Sequence, residues 1–209
     1  MIEIDNVSIA VRGRTVLDRC SATLRADTIT HLVGANGSGK TTLIRAVAGI
    51  QRYSGSIRFD GADVARVRSE LYVCFDDAPL LPYLNGYDNV RMLLGRSIPR
   101  ATIRGVAPSI ADDDLLRMRA RTLSHGQRKR VHLVAALASG ARYLVFDEAL
   151  NGVDAATVAE VGAALAHRPA GETMLFTSHE AYDNLDARRI NIVDSHLVAT
   201  DDVVDEITA

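Results

Sequence analysis

Residues 34–42 form a glycine-rich stretch of the type that binds phosphate groups. They follow the apolar segment Ile29 to Val33, which is typical of a strand, and they open a predicted helix. Glycine allows backbone angles that point several successive N–H groups inwards, and a helix N-terminus adds partial positive charge. The residues expected to surround the phosphates are Gly34, Asn36, Gly37, Ser38, Gly39, Lys40, Thr41 and Thr42. Lys40 is predicted to reach the β and γ phosphates of a nucleoside triphosphate, and Thr41 to bind Mg²⁺.

Two carboxylates end a second apolar segment. Residues Tyr143 to Phe146 are typical of a strand buried on both faces, and Asp147 and Glu148 follow directly. Carboxylates at the end of a buried strand are costly unless a cation meets them. Asp147 is therefore expected to hold Mg²⁺ through a water molecule, and Glu148 to polarise an attacking water as general base. Such a run is commonplace by itself, and the phosphate loop is what gives it significance.

A third segment, Leu123-Ser124-His125-Gly126-Gln127, predicts a second anion site. Ser124 and Gln127 have the spacing of a capping box for the helix that follows. Capping does not explain Gly126, because glycine in a helix weakens it by up to about 1 kcal/mol relative to alanine. A small residue beside a serine hydroxyl at a helix N-terminus lets an anion approach the backbone closely.

Taken in order, these segments resemble the ABC-type ATPase family. The signature sequence of that family matches Ser124 to Gln127 in all but His125. The segment ending at Asp154, Asn151-Gly152-Val153-Asp154, resembles its D-loop, and Thr177-Ser178-His179 resembles the segment of its switch histidine. The resemblance covers essentially the whole chain, and it implies an ATPase that uses ATP and Mg²⁺.

The resemblance also implies how the parts work together. In that family two cassettes pair head to tail, and ATP lies between one subunit's phosphate loop and the other's signature residues, here Ser124, His125, Gly126 and Gln127. It implies catalytic roles for Lys40, Glu148 and His179, with His179 at the γ-phosphate. The implied partners are a second ATPase subunit and transmembrane permease subunits.

The sequence departs from the family pattern on the adenine side of the site. The aromatic residue that usually stacks on adenine aligns with Val11, which has no π face. Stacking of a base on an aromatic ring contributes about 1 to 3 kcal/mol, so weaker nucleotide binding is expected unless a guanidinium replaces the ring. Arg12 or Arg14 could supply that guanidinium.

Three further departures affect other motifs. The position of the Gln-loop glutamine, which contacts Mg²⁺ in the family, is assigned to Asp76, with Asp77 as the alternative. Ala149 replaces the usual proline after the catalytic glutamate, and His125 replaces a glycine of the signature. The last two replacements are expected to be tolerated.

The expected fold is an α/β P-loop NTPase whose mainly parallel sheet is flanked by helices. Residues 7–11 and 16–24 predict antiparallel strands, 189–200 a hairpin that turns at Asp194-Ser195, and 155–167 a helix. One domain is expected, with an α/β core of residues 1–84 and 140–209. Residues 85–139 are mostly helical in pattern and are predicted to form an inserted subdomain that carries the signature.

Composition excludes several classes of protein. The net charge is −2, with 24 basic residues spread along the chain, which argues against nucleic acid as a partner. No apolar run reaches the roughly 18 residues of a membrane span, and no secretory leader is visible, so a cytoplasmic protein attached to the membrane through permease subunits is expected.

Cys20 and Cys74 are predicted to be unpaired. The densest basic cluster is predicted to be a solvated helix face: Arg117, Arg119, Arg121, Arg128, Lys129 and Arg130.

Three functions are consistent with these motifs. The leading one is the motor of a membrane transporter, and the brevity of the chain favours export. The second is an ABC ATPase that drives assembly, as in iron–sulfur cluster maturation. The third, a nucleotide-binding regulator without turnover, is disfavoured by the presence of Glu148 and His179.

Overall fold

An antiparallel sheet is built from the first part of the chain, in the strand order β2-β1-β4. Its strands are β1 (Ile2–Val11), β2 (Arg14–Leu24) and β4 (Ser54–Phe59). Arg12 and Gly13 connect the first two with φ of 51° and 79°, the positive values that a tight hairpin turn requires. The predicted pair of strands is confirmed, although the first begins at Ile2 rather than Val7.

A second sheet has the order β5-β6-β7-β3-β8-β9, and its described strands pair in parallel except for the last two. Its strands are β3 (Thr28–Val33), β5 (Leu71–Phe75), β6 (Tyr143–Asp147), β7 (Thr173–Thr177), β8 (Ala187–Val193) and β9 (His196–Ala199). Asp194 and Ser195 form the predicted hairpin turn, both with positive φ. The carboxyl ends of β3, β6 and β7 therefore lie side by side.

Helices flank this sheet and also fill the interval between β5 and β6. They are α1 (Lys40–Val47), α2 (Gly86–Leu94), α3 (Arg100–Gly105), α4 (Asp113–Arg117), α5 (His125–Ser139) and α6 (Ala155–Ala166). Helices α2 to α5 all fall within the interval predicted to be helical. The observed sheets and helices confirm the expected fold class.

Two clusters of buried apolar side chains hold these layers together. One joins α2, α4 and α5 to one face of the parallel sheet, through residues such as Tyr87, Leu116 and Phe146. The other joins the antiparallel sheet and α1 to the opposite face, through residues such as Ile4 and Ile44. Because apolar surface is buried on both of its faces, the parallel sheet is held in place between these layers. The edge of the sheet at which the motifs lie is held in place with it.

The computed structural model describes residues 1–76, 78–108, 110–166, 170–178 and 186–199. Asp77, His167 and His179, which the sequence predictions include, lie outside these ranges. Within them, no helix is both long and apolar enough to cross a membrane. Cys20 and Cys74 are buried and unpaired, as predicted, and burial raises the pKa of Cys74 to about 12.

Candidate functional site

The phosphate loop joins the end of β3 to the start of α1. Gly37 and Gly39 have φ of 78° and 110°, in the left-handed region where side chains are strained. A Cβ atom on Gly39 would also lie 2.8 Å from Cγ1 of Val16, closer than real Cβ atoms approach. Glycine is therefore required at Gly39 for two reasons, its backbone angle and its contact with β2.

Lys40 is the first residue of α1 and is only 5% exposed. Its ammonium group donates hydrogen bonds to the carbonyl oxygens of Gly34, at 2.8 Å, and Ala35, at 3.3 Å. These bonds hold the charge of Lys40 within the loop. Such hydrogen bonds offset the cost of removing an ammonium group from water.

Asp147 ends β6 and joins the loop to the sheet. Its Oδ1 accepts hydrogen bonds from the hydroxyls of Thr41, at 3.1 Å, and Thr177, at 3.0 Å. Asp147 and Thr177 are register partners on neighbouring parallel strands, so the sheet itself sets this contact. Burial raises the pKa of Asp147, and the two hydroxyl hydrogen bonds oppose that rise.

The oxygens of Thr41 and Asp147 fit a magnesium ion. Mg²⁺ binds oxygen ligands and is usually held by one or two protein groups together with substrate phosphates and water. One hydroxyl and one carboxylate, already in contact beside the phosphate loop, match that donor set. The fold thus brings together Thr41 and Asp147, two of the three predicted magnesium ligands.

Glu148 has a strained backbone. Its φ is 55°, which a non-glycine residue adopts only when the surrounding structure enforces it, at a cost of order 1–3 kcal/mol. Its N–H donates to the Thr177 hydroxyl at 2.9 Å, and the Asn151 side-chain amide lies 3.4 Å from its Oε2. Strain of this kind is frequent at functional sites, and Glu148 follows directly after the last residue of β6.

A pocket of about 420 Å³ brings most of the predicted nucleotide-binding residues together. It is lined by Val11, Val16, Asn36, Gly37, Gly39, Lys40, Thr41, Thr42 and Glu148. Val11, 38% exposed, gives it an apolar wall beyond the phosphate loop, and Arg12 follows in the hairpin turn. Gly34 and Ser38 belong to the loop but do not line this pocket.

The signature residues lie at the start of α5 and do not line that pocket. Ser124 and Gln127 form the predicted capping box, with the Gln127 N–H 3.3 Å from the Ser124 hydroxyl and the Ser124 N–H 2.8 Å from Gln127 Oε1. Among the described residues outside its own helix, a Cβ on Gly126 would meet the carbonyl oxygen of Gly152 alone, at 3.5 Å, an ordinary contact. Packing within the chain therefore leaves room for alanine at Gly126. Exposed His125 follows Ser124 and begins α5.

Asp76 and Asp154 have protein partners of their own. Asp76 lies 2.7 Å from the ammonium of Lys129. Asp154 accepts hydrogen bonds from the backbone N–H and the hydroxyl of Thr157, at 2.9 and 2.8 Å, and these bonds lower the pKa of Asp154. Asp154 thereby caps the first turn of α6. The predicted roles of Asp76 in metal binding and of Asp154 in the D-loop remain predictions.

One sequence prediction about basic residues was wrong. Lys129 belongs to the cluster expected to form a solvated helix face, yet it is only 6% exposed. The lysine lies on the side of α5 that packs against the strands, so its ammonium is buried with acceptors from other segments.

Thr177 and Asn151 were also missed as individual site residues. The available signal was their position within segments that the sequence had already singled out.

The chain matches known proteins along most of its length. The model of the ABC transporter family matches residues 17–151. The chain is 34% identical over 207 residues to the aliphatic sulfonates import ATP-binding protein SsuB 2 of Rhodococcus jostii, covering 93% of this chain and 80% of that protein. It is 31% identical over 180 residues to the cytochrome c biogenesis ATP-binding export protein CcmA of Gluconobacter oxydans, covering 86% and 81%.

The solved structures that it resembles include a dimeric ATP-binding cassette in a post-hydrolysis state, bound to ADP and Pi. The two share 18% identity and a TM-score of 0.80 over 94% of this chain and 96% of that one, a likeness of fold. The chain spans 38% to 65% of the length of four other curated relatives. The family match over more than half of the chain and the relatives at over 30% identity lead to one conclusion: this chain belongs to the ABC transporter family.

Proposed function

We propose that the chain binds and hydrolyses ATP to power a membrane transporter. The observation that carries the proposal is the arrangement of Lys40, Thr41 and Glu148 around one pocket, with Asp147 bonded to Thr41. Lys40, Thr41 and Glu148 then line the same pocket, and Asp147, the second proposed metal ligand, contacts Thr41. These are the groups that phosphoryl transfer to water requires.

Each residue has a defined task in the proposed reaction. The N–H groups of residues 34–42 and the ammonium of Lys40 bind the β and γ phosphates. Glu148 accepts a proton from the attacking water, whose oxygen forms a bond to the γ phosphorus while the bond to the β-phosphate oxygen breaks. Thr41 and Asp147 would hold Mg²⁺, which would neutralise phosphate charge when bound. His179 is proposed from the family resemblance to contact the γ-phosphate.

The signature residues are proposed to serve the nucleotide of a second subunit. Ser124 and Gly126 do not line the pocket formed by the phosphate loop, and the packing of the described residues gives no reason for a glycine at Gly126. A close approach by a partner's γ-phosphate supplies one. The dimeric form of a solved cassette with the same fold supports this pairing. Within each subunit, residues 85–139 would form the subdomain that carries the signature.

The proposed partners are therefore a second ATPase subunit and permease subunits that span the membrane, with the chain held at its cytoplasmic face. Relatives are named both for import and for export. Export stays the finer prediction. An assembly ATPase without a permease, of the iron–sulfur type, is the alternative.

A combined binding and turnover experiment tests the proposal. ATP hydrolysis by the purified chain is followed by phosphate release with Mg²⁺, and Lys40→Ala serves as the inactive control because it removes the phosphate-binding charge. The tagged chain is then recovered from its native cells in mild detergent. Turnover that depends on Lys40, together with a multi-span membrane protein in the eluate, is the expected result. Turnover without any membrane partner would favour the assembly ATPase, and equal turnover in Lys40→Ala would contradict the assignment of the phosphate loop.

A further inference from the structure

Lys129 is a buried lysine whose three donors are all used. Its Nζ lies 2.7 Å from Asp76 Oδ1, 3.0 Å from the carbonyl oxygen of Glu148 and 2.7 Å from that of Asn151. An ammonium removed from water is costly unless it is paired and hydrogen-bonded, and Lys129 meets both conditions. Its acceptors come from the segments that follow β5 and β6.

Two of those acceptors are the ends of one turn. The N–H of Asn151 donates to the carbonyl oxygen of Glu148 at 3.1 Å, which closes the turn, and Lys129 binds the same carbonyl together with that of Asn151. The turn carries the strained backbone of Glu148, whose φ is 55°. A strained conformation persists only where several contacts hold it, and Lys129, which lies in α5, supplies two of these contacts.

The same turn also contacts the side chain of Glu148. The amide nitrogen of Asn151 lies 3.4 Å from Glu148 Oε2, and the Ser178 hydroxyl donates to the Asn151 amide oxygen at 2.8 Å. A shift of the Asn151 backbone would therefore move a group that contacts the carboxylate. Lys129 itself does not line the pocket that contains Lys40 and Glu148, so its influence on that pocket passes through the turn.

We propose that Lys129 is a positioning residue for ATP hydrolysis: it fixes the turn from Glu148 to Asn151, and Asp76 fixes its ammonium. The inference rests on the proposed function, because positioning Glu148 matters only if Glu148 is the general base. It assigns to Asp76 a second task besides the predicted metal contact. Helix α5, which begins with the signature residues, is thereby tied directly to the segment that holds the base.

The test compares Lys129→Met, which keeps the length of the apolar stem and removes the donors, with Lys129→Arg, which keeps the charge. The full chain is assayed for kcat and KM with ATP and Mg²⁺, and for Kd with a fluorescent ATP analogue. Because a displaced catalytic group can cost up to about 10²-fold, kcat of Lys129→Met should fall by about ten- to a hundredfold, with Kd unchanged. Lys129→Arg should recover part of the lost kcat.

Arg96→Met is a matched control. Arg96 donates to the carbonyl oxygens of Ala138 and Ser139 at the far end of α5, so the variant also removes a cation from two backbone acceptors. It should retain the kcat of the unmodified chain. If Lys129→Met does not fold, kcat, KM and Kd are measured for Lys129→Gln, which is smaller and keeps an amide donor. The same changes are expected.

Three outcomes are distinguishable. No turnover in the unmodified chain would refute the proposed function itself. Turnover in the unmodified chain and an equal kcat in Lys129→Met would overturn only the inference about Lys129. Loss of ATP affinity in proportion to loss of kcat, with a lower unfolding temperature and no recovery in Lys129→Arg, would mean that Lys129 stabilises the fold without positioning the base.

Discussion

Thr41 and Asp147 are 106 positions apart in the chain and are joined by a hydrogen bond of 3.1 Å. The first belongs to the opening turn of α1 and the second to the last position of β6. The bond brings the Thr41 hydroxyl and the Asp147 carboxylate close enough for one cation to contact both oxygens. If the Thr41 hydroxyl binds a metal instead, Asp147 still accepts a hydrogen bond from the hydroxyl of Thr177.

Thr41→Val should raise the Mg²⁺ concentration needed for half-maximal ATP hydrolysis. Valine keeps the shape of threonine and removes the oxygen ligand, and even indirect partners of a metal ligand contribute about tenfold or more to affinity. We expect a rise of at least about tenfold, measured by titrating Mg²⁺ at fixed ATP. Thr28→Val, at the start of β3, removes a hydroxyl that bonds only to the Arg25 carbonyl in the described contacts, and it is the control. An unchanged Mg²⁺ requirement in Thr41→Val would remove Thr41 from the metal site.

Glu148→Gln should reduce ATP hydrolysis by about two decades or more, the usual contribution of a positioned general base. Glutamine has nearly the same shape but is a negligible base. The substitution also removes a negative charge close to the γ-phosphate, which favours a closed pair of subunits around ATP. Light scattering during gel filtration should show a dimer with ATP and not with ADP. Unreduced turnover in this variant would mean that the base lies elsewhere.

Ser124→Arg should leave ATP binding intact and abolish hydrolysis. The arginine side chain fills the space at the start of α5, which the proposal gives to the partner's nucleotide, while the pocket of the phosphate loop is untouched. Equilibrium binding of a fluorescent ATP analogue and phosphate release measure the two properties separately. Full hydrolysis by this variant at low protein concentration would contradict a site shared between subunits.

The stability of the fold should decrease as the pH falls below about 6.5, the ordinary histidine value. Burial lowers the pKa of His132, and its hydrogen bond with the Ala78 carbonyl oxygen only partly opposes this; burial also lowers the pKa of His31. The unfolded chain then binds more protons than the folded chain, so the free energy of unfolding falls with decreasing pH, by at most about 1.4 kcal/mol per pH unit for each histidine.

Urea unfolding of the chain between pH 7 and pH 5 measures this dependence. His132→Gln should make the slope of unfolding free energy against pH shallower, because it removes one of the two histidines that are buried in the described part of the chain. His196→Gln changes an exposed histidine and serves as the control. A slope that His132→Gln leaves unaltered would show that the acid sensitivity comes from other groups.

The sequence determined those parts of the site that depend on local backbone chemistry. The glycines of the phosphate loop specify left-handed angles at Gly37 and Gly39, and the Ser124–Gln127 spacing specifies a capping box. The apolar run before Asp147 specifies a buried strand. Each of these signals is contained within a few consecutive residues, so no knowledge of the fold was needed. The strand β4 was missed because Ser54–Phe59 contains glycine, serine and arginine and gives little β signal.

Only the tertiary structure decided which distant groups meet. Lys129 looks like a solvated residue in the sequence, and its burial follows from the packing of α5 against strands that lie elsewhere in the chain. Its ion pair with Asp76 and the strained angle of Glu148 likewise depend on the order β5-β6-β7-β3, which places the ends of these strands together. Hydrogen bonds and ion pairs act over a few ångströms in space, whereas sequence patterns report only on neighbours along the chain.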